Sequence, residues 1–120
     1  MKVLIVESSP DLARLWSNQM VRQGATVHSV GSESSAVEWL KESQVDIIVL
    51  DLVLAIGSAF AVADFASYSQ PAAKVIFVTK SSFFSDGSIF QHIPNACAFL
   101  PSTTAPEDLA AVVDHYGVSH

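Results

Sequence analysis

The chain has 120 residues, half of them hydrophobic, and six Lys+Arg against twelve Asp+Glu give a net charge of −6. That length suits one domain with a real core. The apolar content excludes disorder, and the negative charge with unclustered basic residues disfavours nucleic acid and anionic membranes.

Lys2-Val-Leu-Ile-Val6 is a continuous, β-branched run, which predicts a strand covered on both faces of a parallel sheet, ending at Glu7. It is too short for a membrane span or a signal-peptide core. With one cysteine, Cys97, and hence no internal disulfide, the reading is a soluble cytoplasmic protein. A helix follows: Ser8 or Ser9 can cap it, Pro10 suits its first turn and Asp11 complements its positive end. Leu12, Leu15, Trp16 and Met20 recur at helical spacing, and Gly24 closes the segment. Ala25–Val30 reads as a weaker strand, hence an edge. Ser32 opens a second helix with Ala36, Val37 and Leu40 on one stripe and Trp39 beside it.

Gln44–Asp51 returns the chain to a central strand, Val45-Asp-Ile-Ile-Val-Leu50, with Asp51 where the strand runs out. After a loop with Gly57, Ser58–Tyr68 is rich in Ala and Phe, which predicts a well-covered helix. Lys74–Val78 is a fourth strand ending at Thr79. Ser81–Ile93 has paired Phe83 and Phe84, a break at Asp86-Gly87 and a short apolar pattern of Ile89, Phe90 and Ile93, and mobility is expected there. Ala96–Leu100 is a fifth strand. Thr104 and Glu107 fit a capping box, followed by Leu109, Val112, Val113 and Tyr116 on one helix face. Five alternations of strand and helix predict an α/β fold of three layers with right-handed crossovers.

In such a sheet the strand ends share one rim, where ligands gather. Glu7-Ser8, Asp51, Thr79 and Ser102 converge there, and two carboxylates with hydroxyls suit a divalent cation and a phosphoryl group. The four histidines, His28, His92, His115 and His120, have no metal-binding spacing. Cys97 reads as a core residue with an inert thiol.

At this point the chain resembles the receiver domain of two-component response regulators, a flavodoxin-like (βα)5 module with a parallel five-stranded sheet of order 2-1-3-4-5. Val3–Pro10 is similar to the first-strand motif, Gly24–Val27 to the turn into strand two, Val45–Asp51 to the acceptor motif, Val75–Thr79 to the fourth strand, and Asn95–Leu109 to the fifth strand and the last helix. The resemblance makes Asp51 the phosphoacceptor, whose carboxylate attacks phosphorus. It makes Glu7, Asp51 and the Val53 carbonyl ligands to Mg²⁺, Thr79 the switch hydroxyl and Phe99 the switch aromatic.

The departures are as informative. Ser8 stands where the family has a second acidic residue, so Mg²⁺ binding is weakened, and Ser102 and Thr103 replace a lysine and proline. Met-Pro after the acceptor becomes Leu54-Ala55, and the following Asp-Gly becomes Ser58-Ala59. Lys80 takes a place normally small; a solvated lysine is the simpler reading than a substitute cation.

The favoured expectation is therefore an atypical receiver that signals by protein–protein interaction, with impaired phosphorylation and no enzymatic role beyond self-modification at Asp51. The alternative is a competent receiver that takes its phosphoryl group from a histidine kinase with Mg²⁺. A flavin-binding module fits less well, because the first loop lacks a phosphate cradle. Partners are a histidine kinase or another signalling protein. A homodimer is expected through the face of the fourth crossover helix, the fifth strand and the last helix, with Phe83 and Phe84 the leading contact residues and Phe90 equally suited to the core.

Overall fold

A computed structural model describes residues 1–79 and 93–117. The described elements are β1 (Lys2–Val6), α1 (Pro10–Arg22), β2 (Thr26–Val30), α2 (Glu33–Glu42), β3 (Ile47–Asp51), α3 (Ala59–Ser69), β4 (Lys74–Thr79), β5 (Ala96–Pro101) and α4 (Pro106–Gly117). Phe83, Phe84, Asp86-Gly87, Ile89 and Phe90 of the fourth crossover lie outside the described residues, as do Lys80, His92 and His120.

The continuous apolar runs form strands because a strand with helices on both faces has no solvent side to reward alternation. All neighbouring strands pair in parallel, in the order β2-β1-β3-β4-β5, the flavodoxin-like arrangement. Every residue of the central β3 is buried, whereas none of β2 is, so the weaker run does take an edge. Leu4, Val6, Ile48, Leu50, Val75 and Phe77 point to one face and pack with Ala36 and Leu40 of α2 and with Val62, Ala63 and Ala66 of α3. Val3, Ile5, Ile47, Val49, Ile76 and Val78 point to the other, against Ala13, Trp16 and Met20 of α1 and Leu109, Ala110 and Val113 of α4. Each fully buried Val, Leu or Ile side chain contributes about 1.5–3 kcal/mol.

α1 is capped by Ser9, whose hydroxyl accepts the Leu12 amide at 3.4 Å. It ends at Gly24, where φ is +94° and the amides of Gly24 and Ala25 close onto the carbonyls of Val21 and Met20, the paired bonds that favour glycine at this position.

Three sequence expectations are corrected. Leu15 is 55% exposed, because the buried stripe of α1 runs through Ala13, Trp16 and Met20. The capping box does not form. The Thr104 hydroxyl instead donates to the Pro101 carbonyl, and the Leu109 amide bonds the Ala105 carbonyl, which places Pro106 at the first helical position. α3 is covered on its inner stripe only: Phe60 and Tyr68 are exposed.

Candidate functional site

Strand register brings the predicted residues together. Val6 pairs with Leu50, and Leu50 with Phe77. Glu7 and Asp51, each one residue further on, therefore end neighbouring strands at the same level. Asp51 pairs with Val78, and Thr79 with Pro101, so Thr79 and Ser102 complete the rim one step beyond. The Ser102 amide donates to the Thr79 carbonyl at 2.8 Å. Glu7, Asp51 and Thr79 are buried, and with Asn95 they are the buried polar or charged residues among those described.

Backbone donors orient the carboxylates. Asp51 Oδ1 accepts the Val53 amide at 3.0 Å, and Glu7 Oε2 accepts the Ser9 amide at 3.0 Å. Hydrogen bonds to a carboxylate offset part of the cost of burying its charge. Phe99 pairs with Phe77 across the β4/β5 ladder and packs, half-buried, against the α2/α3 core.

Ser8 does not cap α1; Ser9 does. Its hydroxyl accepts the Ala55 amide at 2.8 Å and donates to the Gly31 carbonyl at 3.3 Å. One oxygen thus joins the loops that follow β1, β2 and β3. Both bonds run to residues distant in sequence, so nothing in the local pattern announced them.

The segment after Asp51 is fastened a second time, by a residue that sequence reasoning passed over. Glu33 Oε1 accepts the Ser58 amide at 2.7 Å, and the Glu33 amide donates to the Ile56 carbonyl at 3.4 Å. Gly57, at φ +94°, lies against Glu33, and a Cβ there would run into the Glu33 side chain. The glycine in the loop was the available signal.

Among the described residues no cluster of three or more His, Cys, Asp or Glu side chains could hold a metal ion. The rim brings two carboxylates, Glu7 and Asp51, to the ends of neighbouring strands. The Ser8 oxygen that would complete the set already holds two protein hydrogen bonds. Carboxylate oxygens suit a hard cation in kind. Cys97 on β5 is half-buried, and burial pushes its thiol up to about 11.

The family model of the response regulator receiver domain matches residues 3–113. No curated protein sequence matches the chain. Among solved structures, a signal receiver domain from Vibrio parahaemolyticus is 25% identical, with a TM-score of 0.84 over 97% of this chain and 88% of that one. A CheY-like receiver domain from Methanospirillum hungatei is 17% identical, with a TM-score of 0.87 over 97% and 92%. The response regulator TrrA from Thermotoga maritima, solved in complex with Mg²⁺ and BeF, is 17% identical, with a TM-score of 0.83 over 96% and 97%. The matched span, taken with the strand order, identifies the chain as a member of the response regulator receiver domain family of two-component signalling.

Proposed function

We propose that this chain is an atypical receiver, one domain over residues 1–120, that transmits signals in the cytoplasm by binding proteins rather than by efficient phosphorylation. The observation that carries this reading is the Ser8 hydroxyl, held between the Ala55 amide and the Gly31 carbonyl. A protein hydrogen bond ties down the loop beyond Asp51 where a metal-binding carboxylate would be expected to act. A second departure agrees with it: Ser102, beside Thr79, has no charge with which to meet a phosphoryl group, and losing one charge-assisted hydrogen bond costs about 1.5–3 kcal/mol.

In this reading Asp51 keeps the phosphoacceptor position, Thr79 that of the switch hydroxyl and Phe99 that of the switch aromatic. Mg²⁺, where it binds, is held weakly by Glu7, Asp51 and the Val53 carbonyl. Partners are a histidine kinase or another signalling protein, with self-association through the face of β5 and α4. The test is incubation with acetyl phosphate and Mg²⁺, followed by mass measurement. The native domain is expected to stay unmodified under conditions that phosphorylate a Ser8→Asp/Ser102→Lys variant at Asp51. Ready phosphorylation of the native chain at Asp51 would overturn the reading.

One observation favours the competent alternative. Glu7 and Asp51 are level on the rim with Thr79 one step beyond, and all three are buried, an arrangement that supports an acceptor with a hydroxyl partner beside it.

A further inference from the structure

α3 differs from its neighbours in how its surface charge is balanced. On α1, Asp11 is met by Arg14 at 3.3 Å, and on α2, Glu38 by Lys41 at 3.5 Å, each pair one turn apart. From Lys41 to Lys74 the sequence contains no Lys or Arg between them, and α3 carries one charged residue, Asp64. Asp64 is exposed and has no ion pair among the described residues.

Its surroundings are aromatic. Ala61, Asp64, Phe65 and Tyr68 fall three and four residues apart, hence on one side of the helix. Together with Ser67 they line an open groove of about 540 Å³. Tyr68 is 89% exposed, a large ring held in water on an ordered helix. Phe60 extends the apolar surface by one turn, its ring set 6.4 Å from that of the buried Phe77, and the loop entering α3 exposes Val53 and Ile56. Exposed large apolar side chains gathered on one helix face mark binding surfaces.

A carboxylate between aromatic rings is what a guanidinium seeks, through charge-assisted hydrogen bonds to the acid and stacking on the rings. We infer that the outer face of α3 docks an arginine-bearing amphipathic segment of a protein partner, its guanidinium seated between Asp64, Phe65 and Tyr68 and its apolar side chains lying along Phe60. At this face Asp64 is the one charge on α3, so a basic segment complements it, whereas a second copy of the same face would set like charges together. The inference rests on reading the domain as a protein-binding module and gives that module a surface on the side of the sheet opposite α1 and α4. It needs no chemistry at Asp51.

The test is selection of a phage-displayed library of random 16-residue peptides on the immobilised 120-residue domain. Recovered peptides are expected to carry arginine within an amphipathic helical pattern. They should bind Asp64→Asn and Tyr68→Ala about tenfold more weakly than the native domain and bind Asp51→Ala equally well. Both α3 changes are at exposed positions, and circular dichroism confirms that the variants are folded. Peptides without basic residues, or peptides indifferent to both α3 changes, would overturn the inference, as would no enrichment at all. Concentration-dependent self-association abolished by Tyr68→Ala would assign the face to a second copy and equally overturn it. Phosphorylation of the native domain would refute the atypical reading alone, whereas a silent α3 face with an unreactive Asp51 would refute this inference alone.

Discussion

The Ser8 hydroxyl and the Ala55 amide meet at 2.8 Å across 47 positions of sequence, and through them the first strand's loop holds the segment that leaves β3 beyond Asp51. With the bond to the Gly31 carbonyl, the hydroxyl both accepts and donates, something a carboxylate at this position could not do at neutral pH. Ser8→Ala is expected to remove both bonds at a cost of about 0.5–1.5 kcal/mol each. Hydrogen exchange at the Ala55 amide should accelerate in the variant while amides of β3 keep their protection. An unchanged Ala55 rate would show that the bond does not hold the loop.

Gly57 and Glu33 form the second fastening. Any side chain at 57 meets two penalties, the left-handed φ of +94° and collision with Glu33, whose Oε1 lies 2.9 Å from an added Cβ. Gly57→Ala should therefore cost about 1–3 kcal/mol in chemical denaturation. Pairing it with Glu33→Gly, which removes the Glu33 Cβ as well as the carboxylate, should recover much of the steric part and leave the backbone part. Strict additivity of the two changes would contradict the contact.

Burial holds the Cys97 thiol in its neutral form, up to about 11 from an ordinary 9.0. A group whose folded pKa is raised binds its proton more tightly in the folded state. Its contribution to stability is complete below pH 9 and lost as the pH rises from 9 toward 11. Alkylation by iodoacetamide in the native protein should accordingly stay slow at pH 8 and rise steeply only above pH 10. Rapid alkylation at pH 8 with the fold intact would contradict the buried, protonated thiol.

Much of the fold was legible in the sequence because its five strands are covered by helices. Val45–Leu50 and Val75–Val78 are unbroken apolar runs for that reason, and the half-exposed β2 shows its edge position by weaker hydrophobicity. The strand-end positions of Glu7, Asp51 and Thr79 follow from the same pattern. What escaped depends on contacts between distant segments. A serine after a strand reads as a helix cap, and only tertiary structure turns Ser8 toward Ala55 while Ser9 takes the cap. Thr104 fits the capping-box spacing, but its hydroxyl finds the nearer Pro101 carbonyl, and Pro106 starts the helix two residues later. Apolar content alone hid the exposure of Tyr68, since a hydrophobic helix predicts burial without saying what covers each side.

The most direct test of the central claim is an NMR titration of the domain with Mg²⁺ and then beryllofluoride, a stable mimic of an aspartyl phosphate, following the amides of Asp51, Thr79 and Phe99. No saturable shifts are expected at these residues at millimolar ligand, and they should appear in Ser8→Asp/Ser102→Lys, where a second acid and a cation complete the site. Saturable, Mg²⁺-dependent shifts at all three in the native domain that vanish in Asp51→Ala would contradict it and establish a working phosphorylation switch.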